Sequence, residues 1–226
     1  HPPLACTDVG DSMLGYGSPY VTSLWRTFSD LQRGYFDIAV IGAAQVDKYG
    51  NVNSTVILDD RSYGAPKARL PGSGGANDMV SSAKRALIMV RLDKRSFVPR
   101  VDYVTSPGYI DGPGAREKAG LRGGGPVSVI SDKAIFKFDN DTKEMYLRGV
   151  YPGVKVEQIV KDVGWKLNVP KHVDTVEPPT TEEVDFIRSF DPTDSTLREK
   201  RILETLDFSS WVSLTRECMK RRVRSV

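Results

Sequence analysis

Residues 36–44 read Phe36-Asp-Ile-Ala-Val-Ile-Gly-Ala-Ala44, a short and nearly unbroken apolar run. A run of this length that is rich in branched side chains is typical of a strand covered on both faces, as in parallel sheets. The run therefore predicts a buried strand and favours an α/β domain.

The sequence on either side of this run predicts further strands at residues 86–90, 127–130, 135–138 and 145–150. Helices are predicted at residues 76–84, 155–163 and 181–190, and from Ser195 towards the C-terminus. Because strands and helices alternate first and helices gather at the end, the predicted fold class is α/β: an open, largely parallel sheet with flanking helices and a C-terminal helical extension. Pro178-Pro179 marks the joint, which predicts domains at residues 1–176 and 177–226.

Composition is typical of a soluble globular protein. Of the 226 residues, 39% are hydrophobic and 27% are charged, which provides enough apolar material for one sizeable core. No apolar run approaches the roughly 20 residues that a bilayer requires, and the first residues lack the basic-then-apolar order of a signal peptide. The sequence therefore predicts a cytoplasmic protein with no membrane partner.

Cysteine and histidine are too scarce for a structural metal site. The cysteines are Cys6 and Cys218, and the histidines are His1 and His172. These residues lack the ligand spacing of a zinc site, and two cysteines cannot form a disulfide framework. We expect no metal ligands.

The net charge of +3 comes from the C-terminal end of the chain. The basic residues there are Arg216, Lys220, Arg221, Arg222 and Arg224. The rest of the chain is close to neutral, and such a tail is typical of a solvated helix end that complements the macrodipole. The charge pattern therefore disfavours nucleic-acid binding.

A glycine-rich segment, Gly72-Ser73-Gly74-Gly75-Ala76-Asn77, comes directly before a predicted helix. Glycines let the backbone approach a ligand, and the first amides of a helix lack intrahelical acceptors, so the segment suits a phosphate or an oxyanion. An ordinary turn with Asn77 or Asp78 capping the helix explains the same spacing. The segment lacks the third glycine of the dinucleotide fingerprint, and the chain contains no Walker A motif.

A second segment, residues 42–55, follows the first predicted strand at the end where α/β proteins place ligands. Asp47 and Gly50 have the offsets of a type I turn, and Asn51 and Asn53 would project from one face of an extended chain. Turn chemistry alone explains much of this pattern. The candidate binding residues in the segment are Gly42, Ala43, Gln45 and Asn51.

A third segment, residues 102–117, is predicted to be a long loop because Pro-Gly and Gly-Pro pairs punctuate it. Long ordered loops often border active sites, but the residues alone favour a plain surface connection between strands. His172 is an isolated imidazole, and nothing in the loop pairs a nucleophile with a base. The residues by themselves therefore predict no catalytic triad.

Taken in order, the three segments resemble the family I coenzyme A transferases, most closely the β subunit of the glutaconate type. The resemblance covers roughly residues 8–192 and rests on residues 42–47, 49–55, 72–77, 103–108 and 110–114. It implies an open α/β domain that pairs with a homologous α subunit, commonly as α2β2, with the active site at the subunit contact. It also implies coenzyme A as a substrate, with no permanently bound cofactor.

In that family a glutamate attacks an acyl-CoA thioester, and the resulting anhydride is converted by coenzyme A to a glutamyl thioester that a carboxylate acceptor then discharges. The resemblance implies that backbone amides of Gly74, Gly75 and Ala76 stabilise the oxyanion of these steps. It implies substrate or coenzyme A binding by Gly42, Ala43, Gln45, Asn51, Gly72, Ser73 and Asn77.

The chain departs from the family at the nucleophile, because it contains no Glu-Ser-Gly or Glu-Asn-Gly. Val9-Gly10-Asp11 resembles a stretch that follows the catalytic glutamate, so we expect the chain to begin after that residue. Glu117 and Glu144 lack the expected neighbours, and the catalytic residue therefore stays unassigned.

Three alternative functions remain open at this point. Related enzymes with the same scaffold are acyl-CoA hydrolases that open rings and decarboxylases of glutaconyl-type CoA esters. A third alternative is a noncatalytic partner subunit whose basic tail docks another chain or nucleic acid. The intact loop at residues 72–77 favours CoA transfer over the first two.

Overall fold

The computed structural model describes residues 15, 18–59 and 63–190. Ser23–Pro178 forms one compact unit, and the described residues outside that range belong to a second unit. The division falls between Pro178 and Pro179, while the predicted boundary after residue 176 stays a prediction. The helix predicted from Ser195 and the basic tail lie outside the described residues.

The elements, in chain order, are α1 (Leu24–Gln32), β1 (Ile38–Gly42), β2 (Gln45–Val46), β3 (Val52–Asn53), β4 (Val56–Leu58), β5 (Pro66–Arg69), α2 (Ala76–Ser82), β6 (Arg85–Met89), α3 (Ala115–Lys118), β7 (Pro126–Ile130), β8 (Ala134–Phe138), β9 (Met145–Val150), α4 (Val156–Asp162), β10 (Asp174–Thr175) and α5 (Thr181–Phe190).

Six strands form the main sheet in the order β1-β6-β7-β8-β9-β10. The pairs β1–β6, β6–β7 and β9–β10 are parallel, and the pairs β7–β8 and β8–β9 are antiparallel. The connections 131–133 and 139–144 are too short for a parallel crossover, which explains the antiparallel pairs. Since three of the five strand pairs are parallel and the sheet formed by the described residues does not close, the predicted open, largely parallel sheet is confirmed. Two small antiparallel hairpins, β2–β3 and β4–β5, stand beside it.

The core lies on one face of the sheet. The strand register aligns a row of buried side chains across it: Ile41, Ile88, Val129, Phe136 and Leu147. Phe97, from a loop, covers this row with its ring centroid 5.2 Å from that of Phe136. Burial of such large apolar side chains is the dominant favourable term in folding.

The opposite face of the first strand is open, so the prediction that residues 36–44 are covered on both faces is wrong for the described residues. β1 lies at the edge of the sheet, and α2 packs on the face that carries Ala39 and Ile41. Ile38 and Val40, which point the other way, remain 48% and 53% exposed. An apolar run predicts a strand, but whether another element packs on each face depends on residues elsewhere in the chain.

The helix after the glycine-rich segment begins at Ala76 as predicted but ends at Ser82. Ala83 is already extended, and the Lys84 amide donates a hydrogen bond to the Phe36 carbonyl. The helix thus ends two residues before the predicted end at residue 84, and β6 begins at Arg85. Sheet hydrogen bonds here replace helical ones.

The predicted helix at residues 181–190 is confirmed as α5. Thr180 caps it, because its Oγ1 accepts from the Glu183 amide while its own amide donates to Glu183 Oε2. This reciprocal pair satisfies amides that a helix start leaves unpaired. Among the described residues, no helix is long and apolar enough to cross a bilayer.

Candidate active site

The loop formed by Gly72, Ser73, Gly74 and Gly75 has the backbone conformation that its glycines predict. Gly72 and Gly74 have φ values of +97° and +49°, in the left-handed region that favours glycine. Nothing in the described chain lies within 4 Å of a Cβ placed on either residue. The left-handed backbone, rather than a crowded neighbour, therefore requires glycine at both positions.

Three of the loop's amides, those of Ser73, Gly74 and Gly75, have no acceptor among the described residues, and one that was predicted to be open is bonded. The Ala76 amide donates to the Ser73 carbonyl at 2.8 Å, so the prediction of Ala76 as an oxyanion donor is corrected. The amides of Gly74 and Gly75 have no acceptor among the residues that the structure describes. Two adjacent free amides at a helix start favour binding of an anion or an oxyanion.

Gly75 is a glycine for a different reason, which is its contact with α1. A Cβ on Gly75 would lie 2.2 Å from Phe28 Cζ. The Phe28 ring thus packs directly on the loop backbone, and it fixes the loop against α1. This contact means that a larger residue at position 75 would displace a half-buried aromatic ring as well as alter the amide.

Asn77 joins the loop to the third sequence segment. Its Nδ2 donates to the Thr105 carbonyl at 2.8 Å, whereas α2 has Gly75 at its N-cap and no side-chain cap. The alternative that Asn77 or Asp78 caps the helix is therefore wrong. Asn77 instead holds residues 105–108 beside the start of α2.

Thr105 and Ser54 complete the junction of the three segments. Thr105 Oγ1 accepts from the Ser54 amide at 2.9 Å and lies 2.7 Å from Thr55 Oγ1. Ser54 in turn binds Gly72 twice, because its carbonyl accepts from the Gly72 amide and its hydroxyl donates to the Gly72 carbonyl, each at 2.9 Å. The structure thus brings together the three segments that the sequence singled out.

Gln45 lies behind this junction and is 5% exposed. Its Nε2 donates to Asp102 Oδ2, and its Oε1 accepts from Asn53 Nδ2 and from the Asp102 amide. These bonds tie β2 to β3 and to the third segment. The amide group of Gln45 is therefore already bonded within the protein, which makes Gln45 a positioning residue in this structure.

Asn51 has a similar role at the other end of the hairpin. Its Oδ1 accepts from the amides of Gly108 and Ile110, and its Nδ2 donates to the Ile110 carbonyl at 2.8 Å. Ile110 has a φ of +58°, which is unusual for a β-branched residue. The two hydrogen bonds between Asn51 and Ile110 stabilise this strained residue in the loop that leads away from the site.

The Asp47 side chain stabilises the same turn through hydrogen bonds. Its Oδ1 accepts from the amides of Tyr49 and Asn51, and its Oδ2 accepts from Asn51 Nδ2. The Gly50 amide donates to the Asp47 carbonyl, which confirms the predicted turn. Burial raises the pKa of the Asp47 carboxyl, because removal from water disfavours the charged form more than these hydrogen bonds favour it.

The remaining predicted binding positions are Gly42, Ala43 and Ser73. Gly42 ends β1 and has open space around its Cα, while Ala43 packs against the core. Ser73 Oγ donates to the neighbouring Gly74 carbonyl at 3.2 Å. Substrate binding by these residues stays a prediction.

Arg116 is a site residue that sequence reasoning missed. It is 4% exposed, and its guanidinium donates to the carbonyls of Pro107, Gly108, Val80 and Gly123 at 2.8–3.0 Å. Burial lowers the pKa of this guanidinium. Because α3 is only four residues long, no local pattern showed that its arginine points inward.

The described residues contain no cluster of three histidine, cysteine, aspartate or glutamate side chains that could hold a metal. Glu144 accepts from Lys48 Nζ at 2.5 Å and from the Tyr49 hydroxyl at 3.3 Å, and so serves an ion pair at the edge of the site. The side chains of Asp47, Gln45 and Asn51 are all engaged in hydrogen bonds within the protein. Because these side chains are engaged, the groups left to stabilise a developing negative charge are the free backbone amides of Gly74 and Gly75, in a loop held by hydrogen bonds.

Comparison with known proteins identifies one family model and several relatives that this chain resembles. A family model described as coenzyme A transferase matches residues 16–162. Over 152 residues the chain is 49% identical to the β subunit of glutaconate CoA-transferase from Acidaminococcus fermentans, which is 67% of this chain and 55% of that protein. The chain thus spans about half the length of this relative.

In two further matches the chain covers a larger share of the matched protein. The chain is 36% identical over 184 residues to the β subunit of 3-oxoadipate CoA-transferase from Pseudomonas knackmussii, covering 81% of this chain and 70% of that protein. The crystal structure of glutaconate coenzyme A-transferase from Acidaminococcus fermentans superposes with a TM-score of 0.78 at 40% identity, over 86% of this chain and 76% of that chain.

Proposed function

The chain belongs to the coenzyme A transferase family, and from that premise we propose that it is the β subunit of a heteromeric enzyme that moves coenzyme A between an acyl-CoA and a carboxylic acid. The observation that carries the proposal is the set of hydrogen bonds among Ser54, Asn77 and Thr105, which joins the three sequence segments. The free amides of Gly74 and Gly75 lie in the loop that these bonds hold in place. Free amides at a fixed position are what an acyl-transfer oxyanion requires.

In the proposed reaction a carboxylate oxygen of an enzyme glutamate attacks the thioester carbonyl. The C–S bond breaks, and coenzyme A leaves as a thiolate from an acyl-glutamyl anhydride. The thiolate then attacks the glutamyl carbonyl, forms the glutamyl thioester and releases the acyl group as a carboxylate. An acceptor carboxylate repeats these steps in the opposite direction. The Gly74 and Gly75 amides would donate to each developing oxyanion.

We further propose a homologous α subunit as partner, in an α2β2 assembly in the cytoplasm. The related transferases support the partner, because each of the two relatives is itself one named subunit of a larger enzyme. We also propose a dicarboxylic acyl group, because the two relatives are named for glutaconate and 3-oxoadipate, which are both dicarboxylates.

Trapping of the covalent intermediate tests this function. The full-length protein is coproduced with its α partner, incubated with acyl-CoA, treated with borohydride and analysed by mass spectrometry of both subunits. We expect a glutamyl-CoA adduct, seen as a reduced glutamate after borohydride. Turnover by an enzyme that remains unmodified would contradict the covalent mechanism, and coenzyme A release without transfer to a carboxylate would indicate the hydrolase alternative.

A further inference from the structure

Arg69, the last residue of β5, presents an exposed cation three residues before Gly72 of the glycine-rich loop. Its guanidinium lies over the ring of Tyr63, with Cζ 4.4 Å from the ring centroid, and its Nη2 donates to the Tyr63 carbonyl at 3.1 Å. No described carboxylate lies within ion-pair distance of it. Lys67, two residues earlier on the same strand, instead has Asp59 at 3.7 Å.

The backbone leads from Arg69 into the glycine-rich loop through a segment that is hydrogen-bonded to residues 54 and 55. The Leu70 amide donates to the Thr55 carbonyl and the Gly72 amide to the Ser54 carbonyl, each at 2.9 Å. The segment between Arg69 and Gly72 is therefore fixed on the hairpin of the site. Gly72 follows Arg69 by three positions, so their Cα atoms lie within about 10 Å of each other.

Aromatic contacts connect the same cation to the third sequence segment, residues 102–117. The ring centroids of Tyr63 and Tyr103 are 5.9 Å apart, and Tyr103 comes two residues before Thr105 of the junction. Tyr63, Tyr103 and Val104 are 50%, 41% and 47% exposed. Exposed apolar side chains thus accompany the Arg69 guanidinium, and they belong to the two segments in contact, those of Tyr63 and Tyr103.

From these contacts we infer that Arg69 binds the distal carboxylate of a dicarboxylic acyl group, an inference that rests on the proposed function. A guanidinium matches a carboxylate with two parallel hydrogen bonds. Stacking on Tyr63 holds its plane in one orientation before the ligand binds. The exposed apolar side chains contact the methylene groups between the two carboxyl ends.

The test compares two acyl-CoA esters that differ in the distal carboxylate. The α–β complex is assayed with glutaryl-CoA and with pentanoyl-CoA, for wild type, Arg69→Met and the control Lys67→Met. We expect Arg69→Met to lower the ratio of kcat/KM for glutaryl-CoA over pentanoyl-CoA by about 10- to 100-fold, because a hydrogen-bonded charge pair is lost. Lys67→Met should leave the ratio unchanged, and Arg69→Lys should recover part of it.

Three results would overturn the inference. An unchanged ratio would show that Arg69 does not touch the distal group. An equal loss for both esters would place its effect on coenzyme A or on the fold. Failure of Arg69→Met to assemble with the α subunit would show that the arginine pairs with the partner.

Calorimetric binding of the same two esters separates this inference from the proposed function. A complex that transfers no coenzyme A is compared by binding alone: if it prefers glutaryl-CoA and loses that preference in Arg69→Met, the transferase proposal is contradicted and carboxylate binding by Arg69 is supported. A complex that transfers coenzyme A but shows no preference for glutaryl-CoA supports the transferase proposal and overturns carboxylate binding by Arg69.

Discussion

Neighbouring glycines in the loop have different structural causes, and this difference decides which one can be tested. Gly74 needs its left-handed backbone and has open space around it, whereas Gly75 has an ordinary φ and needs room for Phe28. A substitution at Gly75 would disturb α1 together with the amide. Gly74 is therefore the better position at which to examine the oxyanion role.

Gly74→Val should lower kcat of the complex by about 100-fold or more, because a branched side chain at this φ shifts the amide out of line, and losing one oxyanion donor typically costs about 2.7–4 kcal/mol. The matched control is Gly153→Val, since Gly153 also has a positive φ, +81°, and open surroundings. Steady-state kinetics and thermal unfolding of both variants check this. If Gly74→Val and Gly153→Val lose similar stability and Gly74→Val keeps full activity, the Gly74 amide has no role in catalysis.

Asp47 should make stability depend on pH with a definite sign. Its pKa is raised in the folded protein from the ordinary value of 3.8, so the folded state holds the proton more tightly. The stability of wild type relative to Asp47→Asn should be greatest below pH 3.8 and should fall as pH rises through the raised pKa. Urea unfolding of both proteins across this range checks it, and a difference that grows with pH would contradict the burial argument.

At the scale of elements, Arg116 is the side chain that connects α2, α3 and the third sequence segment. Its hydrogen bonds reach carbonyls on either side of the site, including Val80 of α2 and Pro107. The short helix α3 is not stabilised by its own length, because helices of so few residues are marginal in water. Tertiary hydrogen bonds therefore hold both α3 and the loop that borders the site.

Arg116→Met should reduce the free energy of unfolding by about 3–5 kcal/mol, because it leaves several buried carbonyls without a donor. The control is Arg122→Met, since Arg122 is exposed in the segment that follows α3. Urea unfolding monitored by circular dichroism measures both. Equal, small losses in the two variants would show that the buried hydrogen bonds contribute little.

At the largest scale, the main hydrophobic core on one face of the sheet connects elements that are distant in the chain. Phe136 is fully buried in the row that crosses the strands, and Phe97 joins it to Trp165 with ring centroids 6.1 Å apart. The indole therefore reports on the same packing that holds the loops of the site. Loss of this packing should affect the whole unit from Ser23 to Pro178.

Phe136→Ala should lower the free energy of unfolding by about 3–5 kcal/mol, through lost burial and the cavity that remains. Tyr35→Ala, at an aromatic residue that is 69% exposed, should change it by less than about 0.5 kcal/mol. Denaturant unfolding followed by tryptophan fluorescence compares the two. A loss below about 1 kcal/mol in Phe136→Ala would show that the row of buried side chains is not the main core.

Much of the fold was predictable because its signals are local. The apolar runs at residues 86–90, 127–130 and 145–150 correspond to β6, β7 and β9, and the capped pattern at residues 181–190 corresponds to α5. The end of α2 was not predictable in the same way. Lys84 pairs with Phe36, a residue distant in the chain, and that hydrogen bond replaces a helical one.

Local sequence signals were sufficient for the strands, the left-handed glycine loop and the three segments of the site, because hydrophobic periodicity and glycine conformation act over a few neighbouring residues. The folded arrangement was needed to show that the Ala76 amide has a partner, that Gln45 and Asn51 hold the scaffold together, and that Arg116 is buried. Most of these outcomes depend on hydrogen-bond partners that lie far away in the chain, and such partners are brought close only when the whole sheet has formed.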